Sequence, residues 1–600
     1  MTIRRASWLV VSLAFGALLP MACGQHRDDF DGTAQNSFTP DTGADVAFPP
    51  ACVGVRCSPD LKKVLCQHQD GTEDVFEACG PELGCADGHC AAPCTSAELA
   101  KGSIGCAFAT LPSDTTNGGS GGSCFAVMIA NTWDAPATIQ ATLGDTPVDI
   151  GASVYYAETV GATVHYERVT GAIDPGKAAI VFLAQGSTAN VPPMGTFTAC
   201  PEGVVPAVRE DPIAHGTART RAFLLSTNVP VSAYSIYPYG GASSHISTAM
   251  ALLPLSSWGK SYIAVSGIST GGGMNSSPTI QIVAAEDDTV VRMRPRVDVR
   301  DGAGVPGVGS QQTQSWTLAG GEVLQITQPN DTSGSPVESN KPIGLFGGAE
   351  CPYVPAQTPA CDTLQQQVAP VAQWGSAYAL VPYRPRLAEG NAGTDARESV
   401  PWRFVGAFDG TRLTYDPSPP PFGAPDTLDA GQAVTFTSTY VGTVRSQDDA
   451  HPFHVAAYMT GGSTYGGLGD PDFVTIVPTE QFLDRYVFFT DFTYPETTLS
   501  IVRRATPRGF LPVTLDCVGE VPDFRPLGGT GELEYAWVRL TAGGTPQSFA
   551  SGTCGYGRHE AKSDSPFALY VWGTGQYVSY GYPGGMGSRP LAELEGPLIK

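Results

Sequence analysis

One phrase occurs four times along the chain: a polar stretch, a proline, then residues that alternate in the manner of a strand. Its copies are Pro230-Val231-Ser232-Ala233-Tyr234, Pro342-Ile343-Gly344-Leu345-Phe346, Pro452-Phe453-His454-Val455-Ala456 and Pro566-Phe567-Ala568-Leu569-Tyr570. They stand 112, 110 and 114 residues apart. A fixed period names the unit of folding before any element is assigned. The 600 residues therefore read as an array of about four modules, the number that length alone suggests.

Within each period the pattern is short strands and turns. Thr279 to Val283 and Thr289 to Met293 flank the acidic turn Glu286-Asp287-Asp288, which predicts a hairpin. Trp316-Thr317-Leu318 and Val323 to Ile326 flank Ala319-Gly320-Gly321 and predict a second, glycine supplying the positive φ of a tight turn. Weaker copies occur at Ile173-Asp174-Pro175-Gly176, Asp409-Gly410-Thr411 and Ala542-Gly543-Gly544. The recurrent proline is expected at the first residue of its strand, where a missing N–H costs least. Six or so short strands per period suit a β-sandwich. The fold class is thus all-β, in tandem β-sandwich-like modules; a β-propeller-like closed array is the alternative, although a four-stranded blade needs only about 40–50 residues.

Aromatic pairs four residues apart mark the boundaries: Trp258 and Tyr262, Trp374 and Tyr378, Phe482 and Tyr486. They are expected to pack within their own module or against its neighbour, more than to form a sugar-stacking platform. The expected modules are 124–257, 258–373, 374–481 and 482–600.

Residues 1–22 read as an export signal: Arg4 and Arg5, an apolar run from Trp8 to Leu19, and the small Ala22 before Cys23. Cys23 resembles the lipidated cysteine of bacterial lipoproteins. Pro20 and Met21 depart from that pattern, and plain secretion is the alternative. Gly24 in place of an aspartate implies, by the same resemblance, the outer membrane of a Gram-negative cell. Residues 23–51 lack any apolar period and read as a flexible tether.

Fifteen cysteines less Cys23 leave fourteen, an even set suited to an oxidising compartment. Cys52, Cys57, Cys66, Cys79, Cys85, Cys90 and Cys94 crowd into 52–106, without the close spacing of a zinc site, so this segment reads as a disulfide module. Seven is odd, so one of them is expected to pair with Cys106, Cys124 or Cys200. Cys351 with Cys361, and Cys517 with Cys554, are expected to pair within their modules.

A formal net charge of −23 repels phosphate backbones and anionic lipid surfaces, which argues against nucleic acid as a partner. Membrane contact is expected through the N-terminal lipid only.

The block Pro342 to Gly348, Cys351, Cys361-Asp362, Gln366-Gln367, Pro370, Trp374-Gly375 and Tyr378 resembles the signature of the IgGFc-binding protein N-terminal domain. So does Gly469-Asp470-Pro471-Asp472-Phe473 with Pro478, Glu480 to Leu483 and Tyr486 to Phe488. The likeness extends from about Cys124 to Gly585, and the layout is similar to bacterial, myxobacterial-type lipoprotein members. It implies an extracellular binding or adhesion module for a protein or glycan, and brings no catalytic residues with it.

The residues themselves offer little to an enzyme. Gly118 to Gly122 spells G-x-S-x-G, but no strand and helix flank it as a nucleophile elbow requires. His451 and His454 are predicted on opposite faces of a strand, and His245 has no acidic neighbour in sequence. Asp470, Asp472 and Glu286 to Asp288 could offer oxygens to calcium, yet read better as structural turn residues. No cofactor, metal or catalytic residue is expected. A surface hydrolase and a structural envelope component are the alternatives to a binding protein.

Overall fold

The computed structural model describes residues 52–160, 163–188, 195–268, 276–387, 397–593 and 598–599; the proposed signal, Cys23 and the tether lie outside them. From Cys52 onward the chain forms one compact unit. Its regular structure is nearly all β, and every named ladder is antiparallel, so the all-β expectation is borne out.

Residues 54–57, 63–67 and 73–78 make a three-stranded sheet, followed by a short hairpin and the helix Pro93–Ala100. Disulfides Cys52–Cys66, Cys57–Cys85 and Cys79–Cys90 staple this region, and Cys94–Cys106 ties it to the first strand of the large sheet that follows. Cys124–Cys200, Cys351–Cys361 and Cys517–Cys554 complete the set.

Four sheet systems follow: nine strands within 105–251, eight within 218–368, two sets of four within 377–475, and nine within 483–583. Each has at its centre strands buried on both faces, read in the sequence as unbroken apolar runs such as Phe125–Asn131. The sheets curl into half-barrels, and among the described residues neither a closed barrel nor a propeller forms.

The curl comes from the recurrent proline, which corrects its expected place. Pro230, Pro342 and Pro566 lie inside the long strands Phe223–Tyr237, Pro336–Ala349 and Gly557–Gly575, not at their starts. At or beside each, the pairing with a neighbour slips register: between Ser226 and Val231, between Gly259 and Ser261, and between Leu483 and Arg485. A proline is tolerated at such a bulge because the ladder is already broken there, and the bulge bends the strand. Only Pro452 directly precedes its strand, Phe453–Met459, and there the sheet is split in two.

The same bend overturns the two predicted hairpins. Pro278–Ala284 does not pair with Thr289–Met293; both flank the bent strand Pro336–Ala349. Their other partners are Glu322–Thr327 and Gln314–Leu318 respectively. Glu286 to Asp288 and Ala319 to Gly321 are thus two corners of one long, folded ribbon, joined where the Gly320 N–H donates to Asp287 Oδ1 at 2.8 Å. The apolar faces on both sides of the corner, Ile282, Val291, Met293, Trp316 and Ile326 among them, enter one core. The halves therefore face each other as a sandwich-like pair.

Each long strand hands over to a short one: Thr248–Ala251, Leu364–Val368, Asp472–Thr475 and Val578–Pro583. These four pack against one another in cyclic order. Gln366 crosses between them, its Nε2 donating to the carbonyls of Ala249 at 2.9 Å and Gly581 at 2.8 Å.

Candidate functional site

The histidines come first, since histidine is the commonest general base. His215 bridges two carboxylates, Nδ1 to Asp114 at 2.8 Å and Nε2 to Asp211 at 2.9 Å. Burial opposes its charge, but these two bonds prevail and push its pKa up to about 10. With both nitrogens engaged, neither can serve a nucleophile as a base. His559 is engaged likewise, by Asp516 and the Gly555 carbonyl. His454 is buried against Trp374, and its pKa falls to about 3 through burial and then the charge of Arg403. His451 pairs with Asp448 outside the strand, and His245 reaches the Tyr577 carbonyl. Ser120 of the G-x-S-x-G string is buried, its hydroxyl turned to the Thr115 carbonyl. No described strand precedes it directly.

Among the described residues two groups bring three ligand-type residues together, Cys66 with His68 and Asp74, and Asp516 with Cys517 and His559. Both cysteines are tied in disulfides and present no thiolate.

The two acidic motifs behave differently. Glu286, Asp287 and Asp288 sit at an exposed corner. Asp470 and Asp472 are buried rather than placed in an open turn, and Asp362 is buried near them. Ser579 joins the set, donating from N–H to Asp362 Oδ2 at 2.7 Å and from its hydroxyl to the Asp470 carbonyl at 2.5 Å. The Ser247 hydroxyl donates to the Ser579 carbonyl at 2.9 Å. Residues next to or on all four inner strands meet here. Burial pushes Asp470 up to about 7 and Asp362 and Asp472 well above the ordinary carboxylate range, so they hold protons where surface acids do not.

The aromatic pairs are interior. Trp258, Tyr262, Trp374, Tyr378, Phe482 and Tyr486 are all buried, as expected of packing residues.

A solvent-facing site of another kind lies between the first and the last sheets. It is a cleft of about 740 Å³. One wall is the ribbon Val154–Val160 and Thr163–Arg168; the other is built from Phe489 to Phe492 and Tyr556 to Arg558. Tyr156, Tyr166, Tyr239, Phe489, Phe492 and Tyr556 line it. The Tyr166 and Tyr239 hydroxyls meet at 3.1 Å, and Tyr239 packs on Phe182 and Phe492. Burial pushes the Tyr166 phenol up to about 12, so it stays neutral and can act as a hydrogen-bonding group. Glu158, Glu167 and Asp174 stand exposed at the rim. A rigid aromatic floor with a polar, acidic rim is the build of a recognition site. None of these residues was singled out by sequence reasoning for binding. They come from segments up to 400 residues apart, and only Asp174 lay in a recognised motif.

A sequence model of the family described as IgGFc binding protein matches residues 248–573, more than half of the chain. No curated protein and no solved structure matches it.

Proposed function

The chain belongs to the IgGFc-binding protein family, and from that premise we propose that it is a non-catalytic binding protein displayed outside the cell. Its ligand is an extracellular protein or glycan, held in the cleft between the first and last sheets. The observation that carries this reading is the cleft's makeup: six aromatic side chains from distant segments line one opening rimmed by three exposed carboxylates. Tyrosine presents a large, stiff surface with a polar tip, which suits recognition more than bond-breaking. His215 and His559, with both ring nitrogens engaged, and His454, buried away from the cleft, fit a binding role better than a catalytic one.

Export through residues 1–22, a lipid on Cys23 and a spacer over 23–51 would place this cleft at the cell surface. The segments 52–106, 124–257, 258–373, 374–481 and 482–600 are proposed as the modules that build it. Fatty-acid labelling of cells carrying Cys23→Ser tests the anchor. For the ligand, the full-length protein is screened against arrays of extracellular proteins and glycans, beside Tyr156→Ala. Binding that Tyr156→Ala weakens at unchanged thermal stability supports the cleft; binding that ignores the substitution removes it.

A further inference from the structure

Strand Thr163–Arg168 is the outermost of the nine-stranded first sheet and pairs only with Val154–Val160. The six pairs, from Val160 with Thr163 to Tyr155 with Arg168, run without a register shift. The Val169 N–H donates to the Val154 carbonyl at 2.9 Å. Since hydrogen-bonded pairs alternate along an antiparallel ladder, this sets the phase: Thr163, His165 and Glu167 bond inward, and the main chains of Val164, Tyr166 and Arg168 turn outward. Among the described residues none bonds those outward groups.

Proteins normally blunt such an edge with a proline, a lysine, a bulge or a very short strand. Elsewhere in this molecule they do: the edge strand Thr146–Val148 carries Pro147, Arg525–Leu527 carries Pro526, and Gly519–Glu520 has two residues. Thr163–Arg168 carries no proline, lysine or bulge, its two charges Glu167 and Arg168 stand together at one end, and its residues Val164 to Glu167 line the aromatic cleft.

We propose that the cleft receives an extended basic peptide segment of a partner protein, which adds to the first sheet as a further strand alongside Thr163–Arg168. This rests on the reading of the cleft as the binding site. Main-chain bonds to Val164, Tyr166 and Arg168 supply affinity, and alternate side chains of the guest meet the tyrosines, the division of labour seen in strand addition. Six residues of edge span roughly 20 Å. The exposed acids Glu158, Glu167 and Asp174 outnumber the exposed cations Lys177 and Arg168, the latter drawn to the Gly151 carbonyl, while Arg558 is committed to Glu560. Lysine or arginine at alternate guest positions is therefore favoured.

The test uses the full-length protein and a labelled decapeptide alternating lysine with valine and threonine. A twin methylated on alternate backbone nitrogens, and a panel of neutral and acidic oligosaccharides, complete the set. The unmethylated peptide is expected to bind, to slow hydrogen exchange at Val164, Tyr166 and Arg168, and to weaken about tenfold on methylation, as loss of two backbone hydrogen bonds implies. Val164→Pro, which removes an outward donor, should weaken it similarly; should that variant misfold, the methylated twin makes the same test on the unaltered chain. Equal binding of both peptides overturns strand addition. So does absence of peptide binding at millimolar concentration beside an oligosaccharide lost in Tyr156→Ala, which keeps the cleft as the site. Binding that ignores both Val164→Pro and Tyr156→Ala overturns the cleft itself.

Discussion

The Tyr262 hydroxyl donates to the Ile343 carbonyl at 2.6 Å and accepts from the Gly259 N–H at 3.0 Å. Ile343 follows the corner proline Pro342, so this tyrosine pins the bend of its sheet. The device is repeated. Tyr378 donates to the Phe453 carbonyl after Pro452, and Tyr486 to the Phe567 carbonyl at 2.5 Å after Pro566. Each hydroxyl also accepts from a backbone N–H, that of Gly375 or Leu483. The aromatic pair and the proline phrase, which run as separate repeats in the sequence, are two halves of one joint.

Tyr262→Phe should therefore cost about 1–3 kcal/mol, because it leaves a buried carbonyl and a partly buried N–H without partners while keeping the ring. Tyr378→Phe and Tyr486→Phe should cost similar amounts. Urea unfolding checks this: the midpoint should fall with an unchanged slope. A variant as stable as the parent would show that the joint carries no energy.

How far the sequence was legible follows from the same residues. The period, the strand content and the buried aromatics were readable because each is a local alternation or a spacing. The two hairpins were not, because a turn at Glu286 to Asp288 and a corner there use the same residues. What separates them is the partner, Pro336–Ala349, more than 40 residues downstream. The cleft escaped notice for a related reason: Tyr156 and Tyr556 carry no mutual spacing signal, and only the packing of the first sheet beside the last makes them neighbours.

Stability should decline as pH rises from about 5 to 8.5. Asp470 and Glu350 are both pushed up to about 7, mainly by burial, against an ordinary carboxylate value of about 4. Such groups bind more protons folded than unfolded. Their contribution is complete below about pH 4 and is lost as pH rises through 7. His215, raised to about 10, acts in the same direction at higher pH. Asp362→Asn, which replaces a buried protonated acid with a neutral isostere, should match the parent near pH 4 and exceed it at pH 8. Melting temperature measured across this range decides; a rise with pH would contradict the assignment.

His215→Gln should destabilise by about 3 kcal/mol, because breaking a buried pair leaves the other charge uncompensated. The Asp114 side chain has no solvent exposure, and Gln325, Thr327 and the Gly216 N–H are its remaining donors. The loss should shrink as pH rises toward 10, where His215 itself gives up its charge. Denaturant midpoints at pH 7 and pH 10 test it, and equal losses at both would show that charge is not the cause.

The glycines of the family-like block Pro342 to Gly348 are required by backbone proximity, not by a ligand. A Cβ at Gly347 would lie 1.6 Å from the Val265 carbonyl oxygen, one at Gly348 would lie 2.0 Å from that of Leu364, and one at Gly344 would strike the Trp258 ring at 2.5 Å. Backbone cannot swing aside as a side-chain tip can, so the strands must part, and overpacking of this severity costs about 3 kcal/mol or more. Gly347→Ala should thus unfold well below the parent in a thermal melt. Gly555→Ala, where a Cβ meets nothing within 4 Å, should stay within about 0.5 kcal/mol. If instead Gly347→Ala melted like the parent but bound its ligand more weakly, the block would be a recognition surface, and the binding site would have to move from the cleft to the second sheet.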